Sequence, residues 1–224
     1  MTNDIYPIDP DGVWCQVLSS VPPGRAALFL DRDGVVVEEV DYLRRVEDVV
    51  LCPGAASVIA AANAEIVPVV LVTNQAGIGR GYYGWPEFQA VQEAIQTALA
   101  AEGAHVDAVY ACPHHRDGKG VFAHPNHPAR KPNPGMLWRA AKDLALDLPR
   151  SWLVGDTASD IEAARNAGLA GALHVLTGHG RTERSAASAL CGPAFTVRTM
   201  PSIIDALSLP IFGASRAHRP GPAA

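Results

Sequence analysis

The stretch Ala26-Ala27-Leu28-Phe29-Leu30-Asp31-Arg32-Asp33-Gly34 decides how this chain folds. Its first five residues are apolar without alternation, the pattern of a strand buried on both faces. Two carboxylates, two residues apart, then leave the strand at its carboxyl end, where open α/β sheets bind ligands. Working outward, the same arrangement recurs. Residues 67–72 form a second apolar run, which ends on Thr73-Asn74-Gln75, and residues 106–112 form a third. Trp152-Leu153-Val154 runs into Gly155-Asp156-Thr157-Ala158-Ser159-Asp160, and residues 172–176 make another strand. Helical patterns fill the gaps at 54–63, 86–101, 134–146 and 160–166. The second of these carries Phe88, Val91, Ile95 and Leu99 at helical spacing. Strands alternating with helices predict a Rossmann-like α/β fold, a mostly parallel central sheet flanked by helices and joined by right-handed crossovers.

The flanks are less regular. Residues 1–24 hold Pro7, Pro10, Pro22 and Pro23 and read as an N-terminal arm; residues 25–180 carry the domain. Residues 181–224 read as a C-terminal extension, with short helices over 184–190 and 201–208 and a Pro/Gly/Ala-rich tail expected to fray. Residues 113–133 break the rhythm with four histidines and four prolines, as an ordered loop would.

Composition narrows the function classes. At 224 residues and 48% apolar content the chain can bury a full core. Eighteen basic against 23 acidic residues leave a net charge of -5, which advertises no nucleic-acid surface. No apolar run approaches the roughly 18 residues of a membrane span. The start lacks a basic region followed by an apolar core, and Cys15, Cys52, Cys112 and Cys191 are scattered as reduced thiols are. The expectation is a cytoplasmic protein with neither a membrane nor a nucleic-acid partner.

The strand ends carry the chemistry. Asp31, Asp33, Asp156 and Asp160 offer hard oxygen ligands suited to Mg²⁺. The hydroxyl and amides of Thr73, Asn74 and Gln75 suit phosphoryl oxygens, as do the planar fork of Arg130 and the point charge of Lys131. Each feature also has a plain reading, respectively an Asp-rich turn, a helix cap at Asp160, a polar turn and a solvated basic pair. Their occurrence in one order on successive crossovers favours a shared site.

These words match the four motifs of haloacid dehalogenase-type phosphatases. The longer runs, Phe29 to Val35, Val72 to Gly81, Cys112-Pro113-His114-His115 and Arg130 to Met136, resemble the D,D-heptose 1,7-bisphosphate 7-phosphatase group, with histidinol-phosphate phosphatases as close cousins. The resemblance covers residues 25–180 and implies the haloacid dehalogenase fold without a large cap domain. It implies Asp31 as the nucleophile and Asp33 as the general acid and then base. Mg²⁺ would be held by Asp31, the Asp33 carbonyl and Asp156. Asp160 would bind it through water or orient Lys131. By the same resemblance Thr73, Asn74 and Lys131 grip the transferring phosphoryl group, while Arg80, Arg130 and Gln75 select the rest of the substrate, a small phosphorylated metabolite of the sugar bisphosphate class. A small capless enzyme can work as a monomer.

The family's structural zinc loop is altered. Cys112 and His114 stand in its first half; in the second half His127 replaces one cysteine and Ala129 the other. Cys112, His114, His124 and His127 make the candidate Zn²⁺ set, with His115 as a substitute fourth ligand and a metal-free loop as the alternative. Thr157, where the heptose enzymes carry a longer basic side chain, keeps histidinol phosphate and other small phosphomonoesters open as substrates. A noncatalytic phosphometabolite-binding protein is the reading from another class.

Overall fold

Leu28–Leu30 (β2) sits at the centre of the sheet because all three side chains are fully buried and must be covered on both faces. In the computed structural model, which describes residues 8–213, β2 pairs in parallel with Val69–Asn74 (β3) on one side and Trp152–Gly155 (β5) on the other. Ala108–Cys112 (β4) extends the sheet beyond β3, while Gly171–Val175 (β6) and Thr196–Met200 (β7) extend it beyond β5. Trp14–Val17 (β1) closes one edge antiparallel to β4, so the strand order is β1-β4-β3-β2-β5-β6-β7.

Alternation along the buried strands splits the core between two faces. Leu28, Leu30, Leu71 and Val154 pack with Ala55–Ala64 (α1) and Trp85–Ala101 (α3). Phe29, Val70, Val72 and Leu153 pack with Gly135–Leu144 (α4) and Ala158–Ala167 (α5). Ala76–Arg80 (α2) and Gly180–Ser188 (α6) complete the helices. Among the described residues no cap domain is inserted. Only a 3₁₀ turn and a β-bridge lie between Gly34 and Pro53, and only α2 lies between Gln75 and Gly84. Among the described residues no helix is long and apolar enough to cross a membrane.

The flanks correct the sequence reading. The expected arm contains β1, whose Trp14 is buried against Trp85 and Phe88 at ring-centroid distances of 6.2 and 5.0 Å. An edge strand of four residues with one buried side chain leaves too little periodicity to read. The expected C-terminal extension likewise supplies a strand of the main sheet, since β7 pairs with β6 over five residues. Its half-exposed residues hide it from an apolar-run criterion. The helix expected at 184–190 is α6, starting earlier, and the one at 201–208 is the 3₁₀ segment Ile203–Ser208. The expected fraying tail, from residue 214 on, lies outside the described residues.

Candidate active site

The order of strands brings the polar strand ends together. The chain runs β2 to β3 to β4 on one side, then returns past β2 to β5 on the other. The crevice at that reversal is where open α/β sheets bind ligands. Leu30 is level with both Leu71 and Val154, so Asp31, Thr73 and Asp156 emerge beside one another. They line a cleft of about 320 Å³ together with Asp33, Asn74, Gln75, Arg130, Lys131 and Asp160.

Lys131 is the hub. Its buried ammonium lies 2.8 Å from Asp31 Oδ1 and 2.6 Å from Asp160 Oδ1, and donates to the Val72 carbonyl at 2.8 Å. The ammonium is thus paired with both carboxylates while it is bonded to β3. Burial works against this charge, but Asp160 and Asp31 outweigh it and hold Lys131 above its usual range. Asn74 fixes the Lys131 backbone through two amide hydrogen bonds of 3.1 Å each. The side chain of Asn74 thus grips Lys131's main chain rather than standing free in the cleft.

Asp31, Asp156 and Asp160 bring carboxylate oxygens within 4.8 Å of one another, all three residues being buried. Burial, and then Asp160, pushes Asp31 well above the ordinary carboxylate range despite Lys131. The same two causes push Asp156 up to about 7, although the His179 N–H donates to its Oδ2 at 2.7 Å. Gly34 and Gly178 make room for that carboxyl: both have positive φ, and a Cβ on either would lie 2.5 or 2.2 Å from Asp156 Oδ2. Asp160 pairs with Lys131 at Oδ1 and accepts from Thr157 N and Oγ1 at Oδ2, in a capping box that starts α5. A divalent cation fits this donor set. Repelling, desolvated carboxylates that Lys131 only partly neutralises are what a hard cation relieves, with Asp31 and Asp156 the members left to bind it.

Asp33 is held by Arg32, whose Nε and Nη2 each donate to one carboxylate oxygen at 3.0 Å. Arg32 is itself buried, its guanidinium 5.4 Å from the Phe88 ring centroid. Gln75 Nε2 adds a bond of 3.1 Å to Asp33. Arg130 lines the cleft and donates to the His114 carbonyl at 3.1 Å. Burial, helped by Arg80 and Arg116, pulls Arg130 below its usual range.

Arg80 is not brought to the cleft wall. It donates to Tyr42 Oη at 2.6 Å and meets His115 and Asp117 at 3.2 Å each, so it ties together the two loops that flank the cleft. Among the cleft residues missed from sequence are Glu39, Tyr42 and Tyr83. They sit in turns with no motif around them, and only tertiary contact identifies them. Burial, then Asp33 and Asp31, pushes Glu39 up to about 7.

Among the described residues, Cys112, His114, His124 and His127 are not brought together as one group of metal donors. His114 and His127 stack face to face, with centroids 3.6 Å apart and planes within 4°. An imidazole lone pair lies in its ring plane, and a metal bound by both rings would have to lie in two planes that do not meet at bonding distance. Gly12, at φ +74, leaves the Nε2 edges clear: a Cβ there would lie 2.6 Å from His114 Nε2 and 2.8 Å from His127 Nε2, and neither ring nitrogen of His114 has a hydrogen-bond partner among the described residues. His124 Nδ1 and His127 Nδ1 accept backbone N–H bonds at 3.2 Å inside the loop, and His115 Nδ1 accepts one at 3.0 Å. Cys112 is buried in β4, its thiol pushed up to about 11 by burial. Among the described residues, the aspartate trio is the group of three or more donors within that 4.8 Å spacing. With Ala129 in a ligand position, the loop is held by stacking and local hydrogen bonds.

Comparisons with known proteins agree with this geometry. The HAD-hydrolase-like family model matches residues 128–202, which include Lys131, Asp156 and Asp160. A D-glycero-β-D-manno-heptose-1,7-bisphosphate 7-phosphatase from Mesorhizobium japonicum is 48% identical over 171 residues, covering 75% of this chain and 79% of that protein. A crystal structure from Mesorhizobium loti, solved as a HAD-like phosphatase, superposes with a TM-score of 0.82 at 40% identity, covering 95% of this chain and 97% of its own. The D,D-heptose 1,7-bisphosphate phosphatase of B. bronchiseptica, solved with magnesium and phosphate, gives a TM-score of 0.69 at 32% identity over 80% of this chain and 94% of its own.

Proposed function

Since this chain belongs to the haloacid dehalogenase-like phosphatases and is a phosphoric monoester hydrolase, we propose that it removes the 7-phosphate of D-glycero-D-manno-heptose 1,7-bisphosphate with Mg²⁺ bound beside Asp31. The observation that carries the substrate is the 48% identity, over 171 residues, to a β-anomer 7-phosphatase. Asp31, Asp156 and the Asp33 carbonyl would hold the ion. When bound, it neutralises negative charge on the nucleophile and on the phosphoryl oxygens.

The rest follows from the chain's own groups. Asp31 attacks phosphorus, forming an aspartyl-phosphate as the bond to the sugar oxygen breaks. Asp33 gives its proton to that departing oxygen. It then takes a proton from the water that attacks the aspartyl-phosphate, which frees Asp31 and releases inorganic phosphate. Lys131 and Thr73 stand where charge develops on the phosphoryl oxygens, and Asn74 and Asp160 keep Lys131 there. The second phosphate of the sugar meets Arg130, whose charge is crowded by Arg80 and Arg116 and is relieved by an anion. Without a cap, the loops around Glu39–Tyr42 and Arg130 select the substrate.

The test is phosphate release with Mg²⁺ from both heptose bisphosphate anomers, histidinol phosphate, fructose 1,6-bisphosphate and common monophosphates. The expected result is a kcat/KM preference for one heptose bisphosphate of at least about 100-fold, lost by at least about a thousandfold in Asp31→Asn. Preferred turnover of another substrate would overturn the heptose assignment and leave the phosphatase. Turnover at the Asp31→Asn level throughout would favour a binding role.

A further inference from the structure

Gln75 has both amide protons committed. Its Nε2 donates to Thr73 Oγ1 at 2.7 Å and to Asp33 Oδ2 at 3.1 Å, while its Oε1 accepts from the Tyr83 hydroxyl at 2.5 Å. A phenol carries a single proton. The buried Tyr83 donates it to Gln75 Oε1 and anchors the oxygen end of the amide. Flipped, the amide would set its oxygen against the Asp33 carboxylate. Tyr83 reaches this position because residue 77 is glycine: a Cβ there would lie 2.2 Å from the Tyr83 ring and 2.8 Å from Tyr42.

Two consequences follow at the reacting groups. Thr73 Oγ1 accepts a proton from Gln75, which leaves the hydroxyl's own proton to be donated elsewhere. Asp33 gains a third donor beside the two from Arg32, which restricts its rotation. We propose that Tyr83 and Gln75 act as a pair of positioning residues, turning the Thr73 proton toward the phosphoryl group and fixing the Asp33 carboxyl for proton transfer. This rests on the roles given above to Thr73 and Asp33. It assigns Gln75 a task other than touching the distal part of the substrate.

The experiment is a double-mutant cycle on the full chain with Mg²⁺, using p-nitrophenyl phosphate so that the result does not depend on the natural substrate. Tyr83→Phe removes one oxygen and is expected to lower kcat about tenfold, with KM changed less than about twofold. Gln75→Met should lower kcat by at least as much. The double variant should be no slower than Gln75→Met alone, because Tyr83 acts through Gln75. Wild-type kcat in Tyr83→Phe, losses that multiply in the double variant, or a change confined to KM would each overturn the pairing. Asp33→Asn in the same assay separates the two levels. If it retains wild-type turnover, the role given to Asp33 fails. If it is inactive while Tyr83→Phe is unimpaired, only the positioning pair fails.

Discussion

In the cleft, three aspartates converge until their carboxylate oxygens lie within 4.8 Å; in the loop over residues 112–129, two histidines lie flat on one another at 3.6 Å. Both clusters are desolvated and both are made of metal-ligand residue types. Their charge states separate them. Burial raises Asp31 and Asp156, so the cleft carries repulsion that a cation relieves. Burial, then His114 and His124, pushes His127 down to about 4, so the loop holds neutral rings that can stack without a counterion. Ligand residue types therefore mark a metal site only where their donor atoms converge on one point.

The comparison can be broken most severely at Lys131. Lys131→Met strips the cation paired with both Asp31 and Asp160, leaving buried carboxylates without it. Above neutral pH it should cost about 3–5 kcal/mol of stability in a denaturant melt, and kcat should fall by at least about a hundredfold. A stable, active variant would show that the cleft's repulsion is not what Lys131 offsets.

Metal addition sharpens the same contrast. Mg²⁺ at a hundred times its Kd should stabilise the protein by about 2.7 kcal/mol, read as a rise in Tm that Asp156→Asn abolishes. A zinc-selective chelator should leave Tm unchanged, and metal analysis should find well under one zinc per chain. One tightly held zinc per chain would overturn the account of the histidine loop.

The smallest effect is in pH, where the two regions have opposite signs in metal-free protein. Glu39 is raised to about 7, so the folded state holds a proton that the unfolded chain releases near 4.5. Its contribution is present below that value and is lost as pH rises to 7. His127 is lowered to about 4, so its contribution is present above 6.5 and is lost as pH falls through 4. Relative to wild type, Glu39→Gln should gain stability as pH rises from 4.5 to 7. His127→Gln should gain it as pH falls from 6.5 to 4. After screening by solvent each change is about 1 kcal/mol, measurable as paired Tm curves. Parallel curves would remove the distinction.

The parallel sheet and most of the cleft are legible in the sequence. Apolar runs that end in polar residues are written in neighbouring positions, and Asp31, Asp33, Thr73, Asn74, Gln75, Asp156 and Asp160 fall at such ends, while Lys131 is marked by Arg130-Lys131-Pro132 ahead of α4. Tertiary structure decided the rest. β1 and β7 are edge strands whose half-exposed residues carry no apolar signature. Glu39 and Tyr83 enter the cleft only because their loops fold over it, and Arg80 is drawn away from its wall by Tyr42, His115 and Asp117. Above all, sequence placed aspartates and histidines alike near strand ends. Which set converges depends on β2 lying between β3 and β5, and on the loop laying His114 flat on His127. The direction of a lone pair is set by packing between distant segments, and no local pattern of residues encodes it.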